Sequence, residues 1–298
     1  MILPAPHAVL DIAGEDDASL RVRRHGNLRG NRLIVSHGNG FAIDGYAGFW
    51  GRFLDGFEVI AFDARNHGWN PPADPPGHDY LHLARDLVRV CAAVGAEFGA
   101  KPTAGVFHSM SAQAAMLATL ETGGFLDALV CFDPPNVPPG GPARATMLDY
   151  LARLTRWASG RRDVFADPAE LAAEYAATRS GREWAPGTAL LVARAVLRSD
   201  GACRRLSCPR ELEASMYRQG APLDLWPVRR QFALPLKLIG ADSARERPSP
   251  TALSNQALAE TGGFDYVAIP GTSHLLQLEA PEACAAAVRE FLEAAGFG

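Results

Sequence analysis

Residues 105–112 of the chain read Gly-Val-Phe-His-Ser-Met-Ser-Ala. An apolar run, Pro102–Phe107, ends just before Ser109, and a segment with the composition of a helix follows it. A serine at such a strand-to-helix turn holds its hydroxyl above the sheet, where N–H groups of the next helix stabilise developing negative charge. The alternative is that Ser109 only caps the helix, because serine is a favoured N-cap residue. Ser109 is therefore a candidate nucleophile that needs partners from elsewhere in the chain.

Short apolar runs alternate with helical segments on both sides of this turn. The runs that predict strands are Arg32–Ser36, Glu58–Phe62, Pro102–Phe107, Ala128–Phe132, Pro235–Ile239 and Tyr266–Ile269. Two earlier segments, His7–Ile12 and Leu20–Arg24, flank a turn-rich stretch and predict an antiparallel hairpin at the sheet edge. This alternation is typical of an α/β fold in which a mostly parallel central sheet is flanked by helices.

One interval breaks the alternation. Between about residues 134 and 232 the sequence predicts no strand, and a segment rich in proline and glycine opens the interval. The amphipathic patterns in it predict helices at Thr146–Trp157, Pro168–Thr178, Gly187–Leu197 and Arg210–Tyr217. We therefore expect residues 1–134 and 231–298 to form an α/β core, with residues 135–230 as a helical cap inserted after the sixth strand.

The composition is that of an ordinary soluble globular protein, with 48% hydrophobic and 21% charged residues. A nucleic-acid-binding domain is usually basic, whereas this chain of 298 residues has a formal net charge of −4. No apolar run approaches the roughly 20 residues that span a bilayer. The first ten residues also lack the basic and apolar regions of a signal peptide. We expect neither a nucleic-acid partner nor a membrane span, and self-association is left open.

The five cysteines are scattered and odd in number, so they do not suggest a disulfide framework. Cys203 and Cys208 lie close in sequence, but no second Cys/His pair accompanies them in the spacing of a zinc site. We therefore expect no bound metal and a reducing, cytoplasmic location. Nothing in the sequence demands an organic cofactor.

Two further turns follow predicted strands and supply candidate partners for Ser109. Residues 37–41, His-Gly-Asn-Gly-Phe, contain two glycines that let backbone N–H groups approach a substrate closely. His274 follows the last predicted strand in a loop, where it is available as a general base. The alternative for residues 37–41 is a tight turn with a structural role only, and the alternative for His274 is a histidine in a surface loop. Since the carboxyl ends of parallel strands are where ligands bind in open α/β sheets, we expect these turns to meet.

The order of the candidate residues along the chain adds to this pattern. In α/β-hydrolases the nucleophile comes first, the carboxylate second and the histidine last. HGNGF at 37–41, FDARNHG at 62–68, HSMS at 108–111 and PGTSHLLQLEAPE at 270–282 resemble successive signatures of the α/β-hydrolase superfamily. The resemblance covers the chain outside the predicted cap. It implies that Ser109 is the nucleophile and His274 the base. It also implies an oxyanion hole formed by the backbone N–H groups of Asn39 and Met110.

The turn at Ser109 departs from the family pattern in two places. The family has glycine two residues before and two residues after the serine, and this chain has Phe107 and Ser111 there. Ser111 is small enough to replace a glycine, whereas Phe107 is bulky and requires different local packing. Gly105 and Ala104 are the residues expected to make room for it.

The carboxylate that completes the triad has two candidates. The family places it after the strand that follows the cap, which favours Asp242 after Pro235–Ile239, although Asp242 stands one residue earlier than the common spacing. Asp133 is the rival, because it follows the strand Ala128–Phe132 from which some members take their acid. Either side chain would orient the imidazole and stabilise the imidazolium.

The expected activity is two-step acyl transfer on a small or medium carboxylic ester, thioester or lactone. The residues predicted to line an apolar acyl pocket are Phe41, Trp50, Trp184, Leu191 and Trp226. Hydrolysis of carbon–carbon bonds is an alternative within the same fold, and a ligand-binding, receptor-like module with little turnover is another. A serine at position 109 argues against haloalkane dehalogenases and epoxide hydrolases, whose chemistry needs a carboxylate nucleophile.

Overall fold

The computed structural model describes residues 3–73, 77–220 and 222–297. The described strands are β1 Ala8–Ala13, β2 Ser19–Gly26, β3 Arg32–Ser36, β4 Glu58–Phe62, β5 Thr103–His108, β6 Ala128–Phe132, β7 Val164–Phe165, β8 Leu197–Asp200, β9 Cys203–Leu206, β10 Leu236–Ala241 and β11 Asp265–Ile269. Eight of them form one sheet in the order β1-β2-β4-β3-β5-β6-β10-β11. The hairpin and the six core strands predicted from the apolar runs are confirmed, with shifts of at most a few residues at their ends.

Strands β4, β3, β5, β6, β10 and β11 run parallel, and β2 joins β4 antiparallel. Every residue of β3, β4 and β6 is buried. Continuous apolar strands of this kind occur where helices cover both faces of a parallel sheet. The parallel register brings the carboxyl ends of β3, β5, β6 and β10 to one edge, which positions the turns that follow them.

The described helices are α1 Ala47–Trp50, α2 Tyr80–Phe98, α3 Met110–Thr122, α4 Gly141–Gly160, α5 Pro168–Ala177, α6 Thr188–Val196, α7 Arg210–Gln219, α8 Pro250–Gly262, α9 Leu276–Glu279 and α10 Pro281–Ala294. Two hydrophobic clusters lie on opposite faces of the sheet, because side chains alternate along a strand. Leu33 and Val35 of β3 belong to the cluster with α1 and α10, while Ile34 belongs to the cluster with α2, α3 and α8.

Residues 135–230, called the cap segment below, leave the sheet after β6 and return at β10. Helices α4 to α7 confirm the four helices predicted there. The segment also contains a small antiparallel sheet, β7-β9-β8, which the sequence did not predict. Its strands are only two to four residues long and include Arg204 and Arg205, so no apolar alternation marks them. Among the described residues, none of the helices combines the length and apolar character needed to cross a membrane.

Candidate active site

Ser109 occupies a sharp turn between β5 and α3. Its backbone has φ 53° and ψ −114°, a conformation that L residues rarely adopt and that costs free energy. A hydrogen bond of 2.8 Å from the Ser109 N–H to the Phe132 carbonyl fixes the turn to the end of β6. Strain held in place by surrounding contacts is common at functional sites, where it exposes a reactive side chain.

A chain of hydrogen bonds leads from Ser109 through His274 to a buried carboxylate. The Ser109 Oγ lies 3.0 Å from His274 Nε2. On the other side of the ring, His274 Nδ1 lies 2.6 Å from Asp133 Oδ2. Because an ionised carboxylate only accepts hydrogen bonds, Nδ1 carries the proton and Nε2 is left free to accept the Ser109 hydroxyl. This is the arrangement in which a histidine acts as a base toward a serine.

The carboxylate in contact with His274 is Asp133, and the preference for Asp242 is therefore corrected. The Asp242 carboxylate instead accepts hydrogen bonds from the N–H groups of Ala244, at 2.9 Å, and Gly271, at 2.7 Å. These bonds lower the pKa of Asp242 and brace the loop that precedes His274. The two aspartates follow the adjacent strands β6 and β10, so both reach the same edge of the sheet. Only Asp133, which is fully buried, turns its carboxylate toward the imidazole.

Helix α8 supplies further contacts that the sequence did not indicate. Asn255 donates to Asp133 Oδ1 over 3.1 Å, and the Ala241 N–H donates to the same oxygen over 3.2 Å. The Thr251 hydroxyl lies 3.2 Å from His274 Nδ1. The bonds from Asn255 and Ala241 hold Asp133 in one orientation, leaving its second oxygen for the imidazole. Nothing in the local sequence of α8 distinguishes Thr251 and Asn255 from other buried polar residues.

His108, the residue before Ser109, contacts the loop that carries His274. Its Nε2 lies 2.9 Å from the His274 carbonyl oxygen, and its Nδ1 lies 2.8 Å from the Tyr46 hydroxyl. Because a carbonyl only accepts, Nε2 carries the proton and Nδ1 accepts from Tyr46. Burial lowers the pKa of His108 well below its usual value, so the ring is neutral at pH 7. His108 thus positions the His274 backbone through a fixed tautomer.

The glycine turn at 38–40 packs directly against Ser109. A Cβ added at Gly38 would lie 3.2 Å from the Ser109 Cβ and 2.9 Å from His108 Nδ1. The Asn39 amide Nδ2 donates to the carbonyl oxygen of Glu213 in the cap segment over 2.8 Å. Among the described residues, no hydrogen bond is formed by the Asn39 N–H, and Met110 begins α3, where N–H groups have no intrahelical partner. Both N–H groups are thus available near Ser109.

Gly40 fixes the far side of this turn. Its φ is +74°, and an added Cβ would lie 2.4 Å from Glu213 Oε1, so only glycine fits. The Gly40 N–H donates to His67 Nε2 over 3.1 Å. The turn is therefore contacted by His67 from the core and by Glu213 from the cap segment.

The structure accommodates Phe107 and Ser111, the two residues that replace the glycines of the family pattern around Ser109. Phe107 is fully buried on the α3 face of the sheet. An added Cβ at Gly105 would lie 2.4 Å from Phe107 Cε2 and 2.6 Å from Leu126 Cδ1, so Gly105 makes the space for the ring. Ser111 replaces the second glycine, and its hydroxyl donates to the His108 carbonyl over 3.0 Å. This contact ties the first turn of α3 to the end of β5.

We expect Gly105→Ala to destabilise the protein by about 1–3 kcal/mol, because the methyl group overpacks the site of the Phe107 ring. Urea unfolding of the variant measures the loss. The double variant Gly105→Ala/Phe107→Leu is the control, since the smaller side chain restores space. A double variant that is no more stable than Gly105→Ala would show that Phe107 is not the source of the conflict.

The predicted pocket residues fall into three groups. Phe41, Trp184 and Leu191 belong to one cluster, and the Phe41 and Trp184 ring centroids are 6.2 Å apart. Tyr175 stacks on Phe41 at 6.4 Å and was missed by the sequence reasoning, because cap residues give no signal of their direction. Trp50 is fully buried, and its indole N–H donates to a backbone carbonyl, so it is a core residue and not a pocket wall.

Trp226 is also separate from this aromatic group. It packs with the cluster on the α8 side of the sheet, and its indole N–H donates to the Thr261 hydroxyl over 3.2 Å. The prediction of Trp226 as a pocket residue is not supported by these contacts. The side chains that remain for an apolar pocket are Phe41, Trp184, Leu191 and Tyr175.

A mostly parallel sheet in this order, with a serine, a histidine and an aspartate joined at its carboxyl edge, is the arrangement found in the α/β-hydrolase fold. The sequence profile of the Alpha/beta hydrolase family matches residues 33–287. The chain belongs to this family, and it is an enzyme of the hydrolase class. A comparison with curated proteins finds no match by sequence.

Solved structures of the same fold extend over nearly the whole chain. E-2-(acetamidomethylene)succinate hydrolase has a TM-score of 0.78 at 19% identity, covering 96% of this chain and 99% of that one. The thioesterase domain of the curacin biosynthetic pathway has a TM-score of 0.70 at 16% identity, covering 95% and 100%. A thermophilic esterase from Thermogutta terrifontis has a TM-score of 0.67 at 19% identity, covering 97% and 99%. At these identities the likeness shows the fold alone.

Proposed function

We propose that the protein is a serine hydrolase that cleaves a carboxylic ester, thioester or lactone through an acyl-enzyme on Ser109. The observation that supports this most directly is the unbroken hydrogen-bond chain from Ser109 through His274 to Asp133, with distances of 3.0 Å and 2.6 Å. A nucleophile bonded to a base, which is in turn oriented by a third group, is the recurring arrangement for covalent catalysis.

In the first step the Ser109 Oγ attacks the acyl carbon, and its proton passes to His274 Nε2. Asp133 stabilises the imidazolium that forms. The N–H groups of Asn39 and Met110 receive the oxyanion, and each such donor contributes about 3–4 kcal/mol to transition-state stabilisation. The alcohol or thiol takes the proton from Nε2 and leaves; when the substrate is a lactone, the ring opens and the hydroxyl formed stays on the acyl group. Water, activated by the same nitrogen, then attacks the acyl-enzyme, releases the acid and regenerates Ser109.

The cap segment, residues 135–230, is proposed to shape the acyl pocket. It contributes Tyr175 and Trp184, whose rings group with Phe41, the residue after the glycine turn at 38–40. Aromatic walls favour an apolar acyl group of small or medium size. The fold by itself does not choose among ester, thioester and carbon–carbon chemistry. Its solved examples include an esterase and a thioesterase, which agrees with the proposal.

The proposal is tested by hydrolysis of p-nitrophenyl esters from acetate to decanoate, measured beside labelling by an alkyl phosphonate. We expect turnover and stoichiometric labelling of wild type, and neither with Ser109→Ala. The chain-length profile then gives the size of the pocket. Labelling without ester turnover would indicate that Ser109 is reactive but that the enzyme acts on a more specialised substrate. The absence of labelling would contradict a competent serine and favour the ligand-binding alternative.

A further inference from the structure

Three side chains with metal-binding atoms meet between the core and the cap segment, apart from the Ser109–His274–Asp133 chain. His67 and His78 lie in the connection between β4 and α2, and Cys208 follows β9. All three are buried, and one potential ligand atom of each lies within 4.8 Å of the others. The two imidazole rings stack with their centroids 5.5 Å apart. No local sequence pattern marks this group, because Cys208 is more than a hundred residues from both histidines along the chain.

The two imidazoles are neutral, which is the form that binds metals. Burial lowers the pKa of His78 to about 4 and the pKa of His67 well below its usual value. His67 Nδ1 lies 2.9 Å from the Arg65 carbonyl oxygen, so Nδ1 carries the proton and Nε2 holds the lone pair. A backbone carbonyl bonded to the other ring nitrogen is the usual support of a metal-binding histidine.

A second observation points to a ligand at this place. His78 is 7% exposed, and its Nε2 has no hydrogen-bond partner among the described residues. Native proteins rarely leave a buried polar atom unpaired, so such an atom requires an explanation. The Cys208 thiol makes a 3.7 Å contact with the carbonyl oxygen of Pro209, its own neighbour in sequence, and a backbone contact with Glu213. Two of the three ligand atoms are therefore weakly engaged or unpaired.

We propose that His67, His78 and Cys208 bind a transition-metal cation, with Zn²⁺ the best match, and that this cation links the cap segment to the core. Two imidazoles and a thiolate suit Zn²⁺, whereas Mg²⁺ and Ca²⁺ prefer oxygen ligands. Tetrahedral zinc, with bonds of about 2.0–2.3 Å, needs ligand atoms about 3.3–3.7 Å apart, so the side chains close by about 1 Å. Core and cap already meet here, since the Gly68 N–H donates to the Ser207 hydroxyl over 2.9 Å.

Binding rearranges contacts around each of the three side chains. His67 Nε2 gives up the Gly40 N–H, which it accepts at 3.1 Å. His78 must move its proton to Nδ1, which now lies 3.2 Å from Asn66 Nδ2. The Asn66 amide must then turn over, and its Oδ1 gives up the Ala73 N–H, which it accepts at 2.8 Å. Burial raises the pKa of the Cys208 thiol, and the cation displaces its proton. Metal bonds to imidazole and thiolate are strong enough to drive larger changes than these, including the folding of small domains.

The experiment titrates Co²⁺ into the full chain after treatment with a chelator, because cobalt in a zinc site reports its ligands by absorption. We expect a thiolate-to-cobalt charge-transfer band and the visible bands of tetrahedral Co²⁺, saturating at one ion per chain and abolished by Zn²⁺. Cys208→Ser removes the charge-transfer band, and both Cys208→Ser and His78→Gln weaken Zn²⁺ binding more than about tenfold. Zn²⁺ also raises the Tm of wild type but not of either variant.

Cys203→Ser is the matched control, since Cys203 is exposed and lies in the same β9 hairpin. It should leave the absorption bands and the Zn²⁺ affinity unchanged. The proposal is overturned if wild type gives no charge-transfer band, or if the band survives Cys208→Ser. Circular dichroism checks that each variant folds. If Cys208→Ser does not fold, His78→Gln decides the result, because unchanged Zn²⁺ affinity in that variant removes His78 from the site.

Discussion

Asp133→Asn is expected to lower kcat for ester hydrolysis by about 10⁴-fold, with a much smaller change in KM. The side-chain amide introduced by this substitution would donate to His274 Nδ1 where the carboxylate now accepts at 2.6 Å. The imidazole would then hold its proton on Nε2, facing Ser109, and would not accept the hydroxyl proton. Steady-state kinetics on the best p-nitrophenyl ester measures the loss. Substrate binding is spared, because Asp133 is buried behind the imidazole.

Asp242→Asn is the matched control, since Asp242 also follows a strand at the same edge of the sheet. We expect its kcat to stay close to that of wild type, because its carboxylate bonds loop N–H groups and not the imidazole. Thermal unfolding of both variants separates lost chemistry from lost structure. A large loss of kcat in Asp242→Asn with normal activity in Asp133→Asn would reverse the proposed assignment of the acid.

The choice between these two aspartates shows where sequence reasoning stops. The strands were predictable because β3, β4 and β6 are buried at every position, and their apolar runs have the same bounds as the strands. Asp133 and Asp242 both follow such runs, and the strands they follow are neighbours in the sheet. What separates them is the direction of each carboxylate, set by bonds from Ala241 and Asn255. Those bonds join elements more than a hundred residues apart, and no local pattern encodes them.

The cap segment shows the same limit at a larger scale. Its helices were predictable from the spacing of apolar residues, but the direction in which each helix presents its side chains was not. Trp50 and Trp226 were predicted as pocket residues only because they are aromatic, whereas Tyr175, which stacks on Phe41, was missed. The residues that line a pocket between the core and the cap segment depend on how the two pack together. That packing is set by tertiary contacts, which the local sequence does not reveal.

A buried ion pair lies in the cap segment beside the glycine turn at residues 38–40. Arg161 Nη1, at the end of α4, lies 3.0 Å from the Glu213 carboxylate of α7, and their side chains are 8% and 2% exposed. Arg161 Nη2 also donates to the Tyr175 hydroxyl over 3.1 Å. Burial raises the pKa of Glu213, although Arg161 opposes the rise. The pair therefore holds a desolvated carboxylate in place next to Gly40.

Arg161→Leu is expected to lower the free energy of unfolding by about 3–5 kcal/mol at pH 8, because it leaves the Glu213 carboxylate buried without its partner. Urea unfolding followed by circular dichroism measures the change. Arg153→Leu is the control, because Arg153 lies in the same helix and pairs with Asp149 in an exposed ion pair. Such pairs contribute about 0–1 kcal/mol, so the control should stay close to wild type.

The double variant Arg161→Leu/Glu213→Leu should recover most of the loss, because it removes both charges. The pH dependence of the single variant gives an independent check. Without Arg161 the folded-state pKa of Glu213 rises further above its unfolded value. A carboxyl with a raised folded pKa contributes stability below its unfolded pKa and loses it as pH rises through the folded pKa. The cost of Arg161→Leu should therefore shrink toward pH 5. A cost that is equal at pH 5 and pH 8 would show that lost packing, and not an unpaired charge, destabilises the variant.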